Sequence, residues 1–369
     1  MKLYSKKNVL EAGLDRMRFL FDEFDNIIVN ISGGKDSTIV FQLALHVAKE
    51  RNRLPLKVLF LDQEAEWENT ISYVRTIMKM PEVEPLWFQV PIKIENATSQ
   101  FEGYVHCWGE GEEWLREKEP NTIHSVPFAT DIFYDFFPDF MKHYYPNQKA
   151  CHIAGVRGEE SPARLLGLTN AATYKWVTWG KKLKSGNEHY NFYPIYDWSY
   201  TDVWKYIHEN KLVYNKIYDY QYQHGITVNK MRISNLHHET AIHQLFYMAE
   251  IEPDTYNKLC IRITGIDSAV KAGAKNFFVY ELPYMFADWK EYRDYLLDKL
   301  IQNDKDREEF RKAFLQQEAI YETDMGNKMF KVHCQTLIAN DTWHTKLSNF
   351  DRSKECYEVR KKLKLKENV

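Results

Sequence analysis

The 369-residue chain reads as an α/β protein: a doubly wound, mostly parallel sheet followed by a mainly helical C-terminal domain. Three observations predict this. A buried-strand run, Ile27-Ile28-Val29-Asn30-Ile31, passes through two glycines directly into an amphipathic helix. Short apolar runs then alternate with segments of helical period, the pattern of strands joined by crossover helices. Beyond about residue 235 the strand signal fades and helical period dominates.

The elements follow in order. Residues 8–24 predict a helix with Val9, Leu10, Leu14, Met17, Phe19 and Leu20 on its apolar side. After the first strand and its Gly turn, Ile39, Val40, Leu43, Ala44, Val47 and Ala48 mark the next helix. Residues 56–61 read as a second buried strand ending at Asp62, and Trp67, Ile71, Val74, Ile77 and Met78 recur at helical spacing. Leu86-Trp87-Phe88-Gln89-Val90 is a third strand, closed by Pro91. Residues 95–148 are irregular, aromatic and acidic, with a helix-like stretch at 133–144, and read as an insertion over the sheet. The sheet resumes at 150–156. Ser199 and Asp202 form a capping-box-like start to a helix carrying Val203, Trp204, Tyr206 and Ile207. The expected domains are 1–235, with the insertion at about 95–148, and a helical domain at 236–369.

Composition narrows the function classes. The net charge of −3 gives no global basic field of the kind that advertises nucleic-acid binding. No stretch has the length of a transmembrane helix and no apolar signal core follows Met1, so a cytoplasmic protein with no membrane contact is expected. Cys107, Cys151, Cys260, Cys334 and Cys356 are widely spaced, which argues against a disulfide framework, a zinc ribbon or an Fe–S cluster.

The chemistry concentrates at strand ends, where ligands sit in open α/β sheets. Ser32-Gly33-Gly34-Lys35-Asp36-Ser37 lies between strand and helix. Its glycines let backbone approach a ligand closely, and its amides and helix dipole suit an anion. Lys35 adds charge, Ser37 a hydroxyl, and Asp36 is placed to orient a divalent ion such as Mg²⁺. The spacing is not that of a Walker A loop; a plain surface turn is the alternative. At the second strand end, Asp62 in Asp62-Gln63-Glu64 could meet a ribose, an adenine edge or a metal, or be only a strand-end turn. The third carries Gly155, Arg157 and Arg164, two arginines suited to bidentate grip of phosphate or sulfate, or else to a surface ion-pair network.

These motifs carry a specific resemblance. Ser32-Gly33-Gly34-Lys35-Asp36-Ser37 matches the SGGKDS turn of the phosphoadenosine-phosphosulfate (PAPS) reductase/ATP pyrophosphatase, or PP-loop, family. Gly155-Val156-Arg157 with Glu160-Ser161 and Arg164 resembles its second element. Tyr193-Pro194-Ile195-Tyr196-Asp197-Trp198 with Asp202-Val203-Trp204-Lys205-Tyr206-Ile207 resembles its third, and Asn215-Lys216-Ile217-Tyr218-Asp219 its fourth. The resemblance implies an adenine-nucleotide alpha-hydrolase-like fold that binds ATP or a related nucleotide with Mg²⁺. It implies nucleotide contacts from Ser32, Gly33, Gly34, Lys35, Asp36, Ser37, Gly155, Arg157 and Arg164, with Asp62 a further candidate. Lys35, Asp36, Arg157 and Arg164 are the candidate catalytic groups and Asp36 the metal ligand.

The reductase's C-terminal Glu-Cys-Gly-x-His segment is missing, so thiol-based reduction of a sulfonucleotide is disfavoured. Met231-Arg232-Ile233-Ser234, residues 251–256 and Arg262-Ile263-Thr264-Gly265 resemble the branch related to immunoglobulin-binding regulator A. That resemblance implies a ParB-like protein partner. Two readings from different classes stand: an enzyme that cleaves ATP between its α- and β-phosphates to adenylylate an acceptor, and a nucleotide-sensing module without turnover. The basic tail from Arg360 to Lys366 adds nucleic acid as a candidate partner, and aromatic content after residue 235 adds self-association. His238 and His243 imitate a zincin pair, but at a spacing of five they fall on different helix faces.

Overall fold

The computed structural model describes residues 6–96, 103–233, 236, 242–263, 265–266, 281–301, 303–339, 341–342 and 344–367. It divides into two compact units. The sheet unit comprises residues 1–94 and 106–233; the helical unit comprises 95–105 and 234–369.

The sheet unit begins with α1 (Val9–Glu23), whose start is closed by a capping box between Asn8 and Glu11. Then come β1 (Asn26–Asn30), α2 (Lys35–Glu50), β2 (Leu56–Leu61), α3 (Glu68–Met78) and β3 (Val83–Phe88). Two short strands, β4 (Ile92–Glu95) and β5 (Tyr104–Cys107), make a separate ribbon. They are followed by α4 (Phe133–Tyr144), β6 (Ala150–Ile153), α5 (Pro162–Thr169), β7 (Gly180–Lys182), β8 (His189–Phe192), α6 (Tyr200–Glu209) and α7 (Ile217–Gln223). The six-stranded sheet has the order β3-β2-β1-β6-β8-β7, parallel except for β7.

Alternation along the strands sorts side chains to two faces. Val58, Phe60, Cys151 and Ile153 join a core built from α1, α2 and α6, including Met17, Leu20, Val40, Leu43, Val203 and Ile207. Their neighbours Phe88 and His152 meet α4 instead. Phe88 lies 5.0 Å from Phe136 and 5.7 Å from Phe140 between ring centroids, and His152 lies 5.8 Å from Phe140. Both faces are therefore covered, as a parallel sheet requires. Strand β1 sits between β2 and β6, so the order reverses there, and the site is built at that switch point.

Several strand boundaries differ from the sequence reading, two of them with consequences. Strand β3 starts at Val83, not Leu86, because it is an edge strand and tolerates Pro85. Strand β6 stops at Ile153, which releases Gly155 and Arg157 into the loop beyond it. Strands β7 and β8 were not expected.

The helical unit contains α8 (Ile242–Ile251), α9 (Pro253–Arg262), α10 (Trp289–Lys299), α11 (Asp304–Ile338), α12 (Thr345–Asp351) and α13 (Lys354–Glu367). Its core joins Leu296, Leu297, Phe310, Phe314, Leu337 and Leu347, with a second cluster around Tyr321, Met329 and Cys356. Among the described residues no helix is long and apolar enough to cross a membrane. The side chains of His243 and Phe246, and residues 237–241, Thr264, Phe277, Phe278 and Tyr280, lie outside what is described.

Candidate functional site

The site grows from the β1–α2 turn. Gly33 adopts φ +71°, and a Cβ there would stand 2.6 Å from Thr70 Cγ2. Both facts demand glycine. The Ser32 amide donates to Ser37 Oγ at 3.2 Å, and Ser37 Oγ donates to Gly34 O at 2.9 Å. Asn215 Nδ2 braces the turn from α7's start, donating to Gly33 O at 3.2 Å and to Thr70 Oγ1 at 2.9 Å. The Lys35 amide, one of the orphan donors of a helix start, donates to the buried Tyr218 hydroxyl at 2.9 Å.

Gly155 closes the other side. A Cβ on it would lie 2.5 Å from the Asp36 carbonyl carbon and 2.6 Å from the Ser37 amide nitrogen. Those are backbone atoms and cannot step aside. Glycine alone lets the β6 loop lie against the first turn of α2.

Charge is concentrated here. Lys35, with 4% of its surface exposed, donates from Nζ to Asp36 Oδ2 at 3.1 Å and to Met231 O at 3.4 Å. Asp36 Oδ1 accepts from Arg157 Nε at 2.6 Å, and Arg157 Nη1 donates to Glu159 at 2.8 Å. Burial pulls the Lys35 ammonium below the usual lysine range; Asp36 opposes this, while Arg157 and Arg232 reinforce it. Arg164 pairs with Glu160, and its pKa is lowered by burial first and then by Arg232. The structure thus brings Ser32, Gly33, Gly34, Lys35, Asp36, Ser37, Gly155 and Arg157 together, with Arg164 and Arg232 acting on them through charge.

Asp62 requires a correction as a nucleotide contact. It is fully buried. Its carboxylate accepts from Trp87 Nε1 at 2.9 Å, Gln89 Nε2 at 3.0 Å, the Glu64 amide at 3.0 Å, and Arg116 Nη2 at 2.5 and 2.6 Å. A buried carboxylate is costly unless paired in this way, and those donors leave it no opening for a ribose. Asp62 anchors the segment carrying Arg116. Nearby Glu66 is pushed up to about 8 by burial and then by the Asp62 charge, so it is mainly a neutral acid at pH 7.

Asp36 is a poor fit as a resident metal ligand. Mg²⁺ on a nucleotide takes one or two carboxylates besides phosphates and water, yet both Asp36 oxygens already meet cations. Among the described residues no group of three or more His, Cys, Asp or Glu could hold a metal ion. An anion, by contrast, suits this set of donors well. Cys107, Cys151, Cys334 and Cys356 are buried and Cys260 is half-buried; burial pushes Cys334 up to about 12.

The phosphoadenosine phosphosulfate reductase domain profile matches residues 26–224, more than half of the 369. The chain belongs to the phosphoadenosine phosphosulfate reductase domain family. A domain of unknown function, DUF3440, matches residues 225–367. The chain is similar to the uncharacterized protein YbdN of Escherichia coli (strain K12), at 27% identity over 94% of each chain. It is also similar to the adenosine 5′-phosphosulfate reductase of Lysinibacillus sphaericus, at 23% identity over 57% of this chain and 76% of that one. Among solved structures, the Candida glabrata FMN adenylyltransferase in complex with FMN and an ATP analogue aligns at TM-score 0.37 and 12% identity, over 60% of this chain and 65% of that one. The Candida auris PAPS reductase, a phosphate complex, aligns at TM-score 0.36 and 15% identity, over 64% and 98%.

Within this phosphoadenosine phosphosulfate reductase domain, sequence reasoning singled out the turn and the Gly-Val-Arg element but assigned no site role to Thr70, Asn215 or Tyr218, nor to Arg232 just beyond it. Asn215 and Tyr218 sit inside the fourth quoted motif, so their signal was present. Arg116 had none: it lies in an irregular stretch, and only the fold carries it to Asp62.

Proposed function

We propose that the chain binds ATP with its polyphosphate on the 32–37 turn and cleaves it between the α- and β-phosphates. The observation that carries this reading is the buried Lys35–Asp36–Arg157 cluster at the start of α2. An acceptor oxygen or nitrogen attacks the α-phosphorus; the bond to the bridging oxygen breaks, pyrophosphate leaves, and the acceptor's proton passes to solvent. Lys35, Arg157 and Arg164 offset charge on the departing pyrophosphate, and Asp36 orients Lys35 and Arg157. Mg²⁺ that arrives with the nucleotide would add further neutralisation. Buried, high-pKa Cys151 and Cys334 favour this chemistry over thiol-based reduction.

A second reading, nucleotide sensing without turnover, is favoured by one observation: Asp36 and Asp62 are both occupied by internal cations. Residues 225–367 match DUF3440, a domain of unknown function; a ParB-like partner is proposed only from the resemblance of residues 231–265 to the branch related to immunoglobulin-binding regulator A, and a cytoplasmic setting only from the sequence. The test is incubation with α-labelled ATP and Mg²⁺, with and without that partner, for wild type and Lys35→Ala. Pyrophosphate and an adenylylated product that vanish in Lys35→Ala support the enzyme. Binding of ATP without release of pyrophosphate in either condition leaves the sensor. Equal ATP affinity in wild type and Lys35→Ala removes both.

A further inference from the structure

The phenol of Tyr218 stands at the 32–37 turn with half of its hydrogen bonding unused. Tyr218 lies on α7 with 3% of its surface exposed. Its hydroxyl accepts from the Lys35 amide at 2.9 Å, and Lys35 Nζ stands 5.5 Å from the centre of its ring. Trp204 of α6 packs edge-on against the same ring, at 5.3 Å between centroids. These contacts hold the hydroxyl at the first residue of α2. A phenol both accepts and donates. Here only the accepting side is engaged: among the described residues, no carbonyl, carboxylate or hydroxyl takes the hydrogen of the Tyr218 hydroxyl. Burial raises the phenol above the usual tyrosine range, so that hydrogen is in place at neutral pH.

Space for an acceptor lies beside it. Gly34 is the N-cap of α2 and supplies no side-chain cap. A Cβ on Gly34 would stand 3.3 Å from Ser32 Oγ and 3.5 Å from Tyr218 Oη. Glycine leaves that volume clear between two hydroxyls, and Ser32 on one side of it is exposed. An oxygen that enters there comes within hydrogen-bonding reach of both. The Lys35 amide is one of the helix-start donors that an anion would otherwise take directly. With the phenol between them, the amide polarises the O–H and makes it a better donor.

Resting on the nucleotide reading above, we propose that the Tyr218 hydroxyl donates to a phosphate oxygen of the nucleotide seated beside Gly34, with Ser32 Oγ on the other side of that oxygen. The start of α2 then acts on the phosphate through a side chain from α7. Tyr218 is thus a substrate-binding group and not only a brace for the Lys35 amide. Hydrogen bonds to a charged oxygen are about twice as strong as neutral ones, so loss of this one is read as a fall of about tenfold or more in affinity.

The two roles of the phenol predict opposite signs when its acidity is changed. A more acidic phenol is a stronger donor and a weaker acceptor. The experiment is calorimetric titration of the full chain with ATP, for wild type, Tyr218→Phe, Tyr218→3-fluorotyrosine and Lys35→Ala, with thermal melts to confirm folding. Tyr218→Phe is expected to weaken ATP about tenfold or more. Tyr218→3-fluorotyrosine is expected to bind ATP at least as tightly as wild type, and Lys35→Ala to bind it more weakly. A loss of threefold or more in folded Tyr218→3-fluorotyrosine overturns the proposal, because the phenol then serves only as the acceptor that braces Lys35. ATP affinity within twofold of wild type in Tyr218→Phe, with Lys35→Ala still impaired, also overturns it and spares the nucleotide reading. Unchanged binding in Lys35→Ala overturns both. If Tyr218→Phe fails to fold, the sign of the 3-fluorotyrosine effect decides alone.

Discussion

The sheet unit and the helical unit each bury charged groups, but they treat them differently. In the helical unit, Arg293 on α10 donates to Glu318 at 2.5 Å and to His333 Nδ1 at 3.2 Å. His333 Nε2 meets Gln317 Oε1 at 2.9 Å, and Gln317 Nε2 donates to Leu347 O and Asp351. Each charge there ends on an internal partner, and the ring of His333 stacks on Phe314 at 4.1 Å. In the sheet unit, cations gather on one another's flank at the end of β1 and β6. The helical network holds helices together; the mixed-sign cluster behind the glycine turn instead crowds Lys35, Arg157 and Arg164 around Asp36, Glu159 and Glu160.

The largest expected effect breaks the closed network. Arg293→Ala leaves Glu318 without its buried partner and His333 without a donor, which costs about 3–5 kcal/mol. Hydrogen exchange should show loss of protection in α10 and α11, while ATP affinity of the sheet unit is retained. Loss of ATP binding in this variant would mean that the two networks are not separate.

Next comes Gly155→Ala. Its methyl would press on the Asp36–Ser37 backbone, and such overpacking costs about 1–3 kcal/mol. Nucleotide affinity should fall further than stability does, because the displaced atoms belong to the turn. Gly167→Ala in α5 is the control: its Cβ meets nothing within 4 Å, so helix propensity should raise stability by about 0.5–1 kcal/mol. Both are read by urea unfolding and calorimetry.

Acid should separate the units. His333 and His152 are each held down to about 3 by burial. A histidine kept neutral in the folded state contributes stability above its unfolded pKa near 6.5. That stability is lost as pH falls toward 3. Between pH 6.5 and 5 the cost is about 2 kcal/mol for each. Glu66 acts in the opposite sense. Its raised pKa gives stability that is fully present below about 4.5 and lost as pH rises through about 8. In the sheet unit Glu66 thus offsets His152 on acidification, while His333 goes unopposed by any such group in its network. Hydrogen exchange from pH 7 to 5 should show the helical unit opening first, and His333→Gln should abolish the difference.

What was legible follows the same division. The 32–37 turn, the alternating elements and the mostly parallel sheet were readable because local pattern dictates them: glycine conformation, strand apolarity and helix period. The Ser199–Asp202 capping box was readable too, and both of its bonds are present. Strands β7 and β8 were not. Gly180-Lys181-Lys182 and His189-Tyr190-Asn191-Phe192 are short and partly polar, and pairing beside β6 makes them strands. The occupation of Asp62 was hidden for a related reason: Arg116 is 54 residues away in sequence. Arg232 was quoted in a motif, but its approach to Lys35 depends on how the chain turns after α7.

The smallest expected effect concerns the basic tail, where two kinds of arginine and lysine sit side by side on α13. Arg360 belongs to the fold: Nη1 donates to Tyr321 Oη at 2.8 Å and Nη2 to Asp351 O at 2.6 Å. Grouping Arg360 with the solvated tail charges is therefore a mistake, and Arg360→Ala should cost the helical unit about 1–2 kcal/mol. Lys361 and Lys362 are exposed. Reversing them, Lys361→Glu with Lys362→Glu, should leave the unfolding midpoint unchanged, since exposed charges add little to folding. Their contribution to binding a polyanion is another matter, because each phosphate contact adds to the salt dependence of affinity. Fluorescence titration of duplex DNA across a range of salt, for the chain alone and with an added ParB-like protein, decides the point. A shallower salt slope in the double reversal, at unchanged stability, assigns the tail to nucleic acid. Identical slopes in wild type and variant reduce it to a solvated helix end, and the helical unit then carries no surface for DNA on α13.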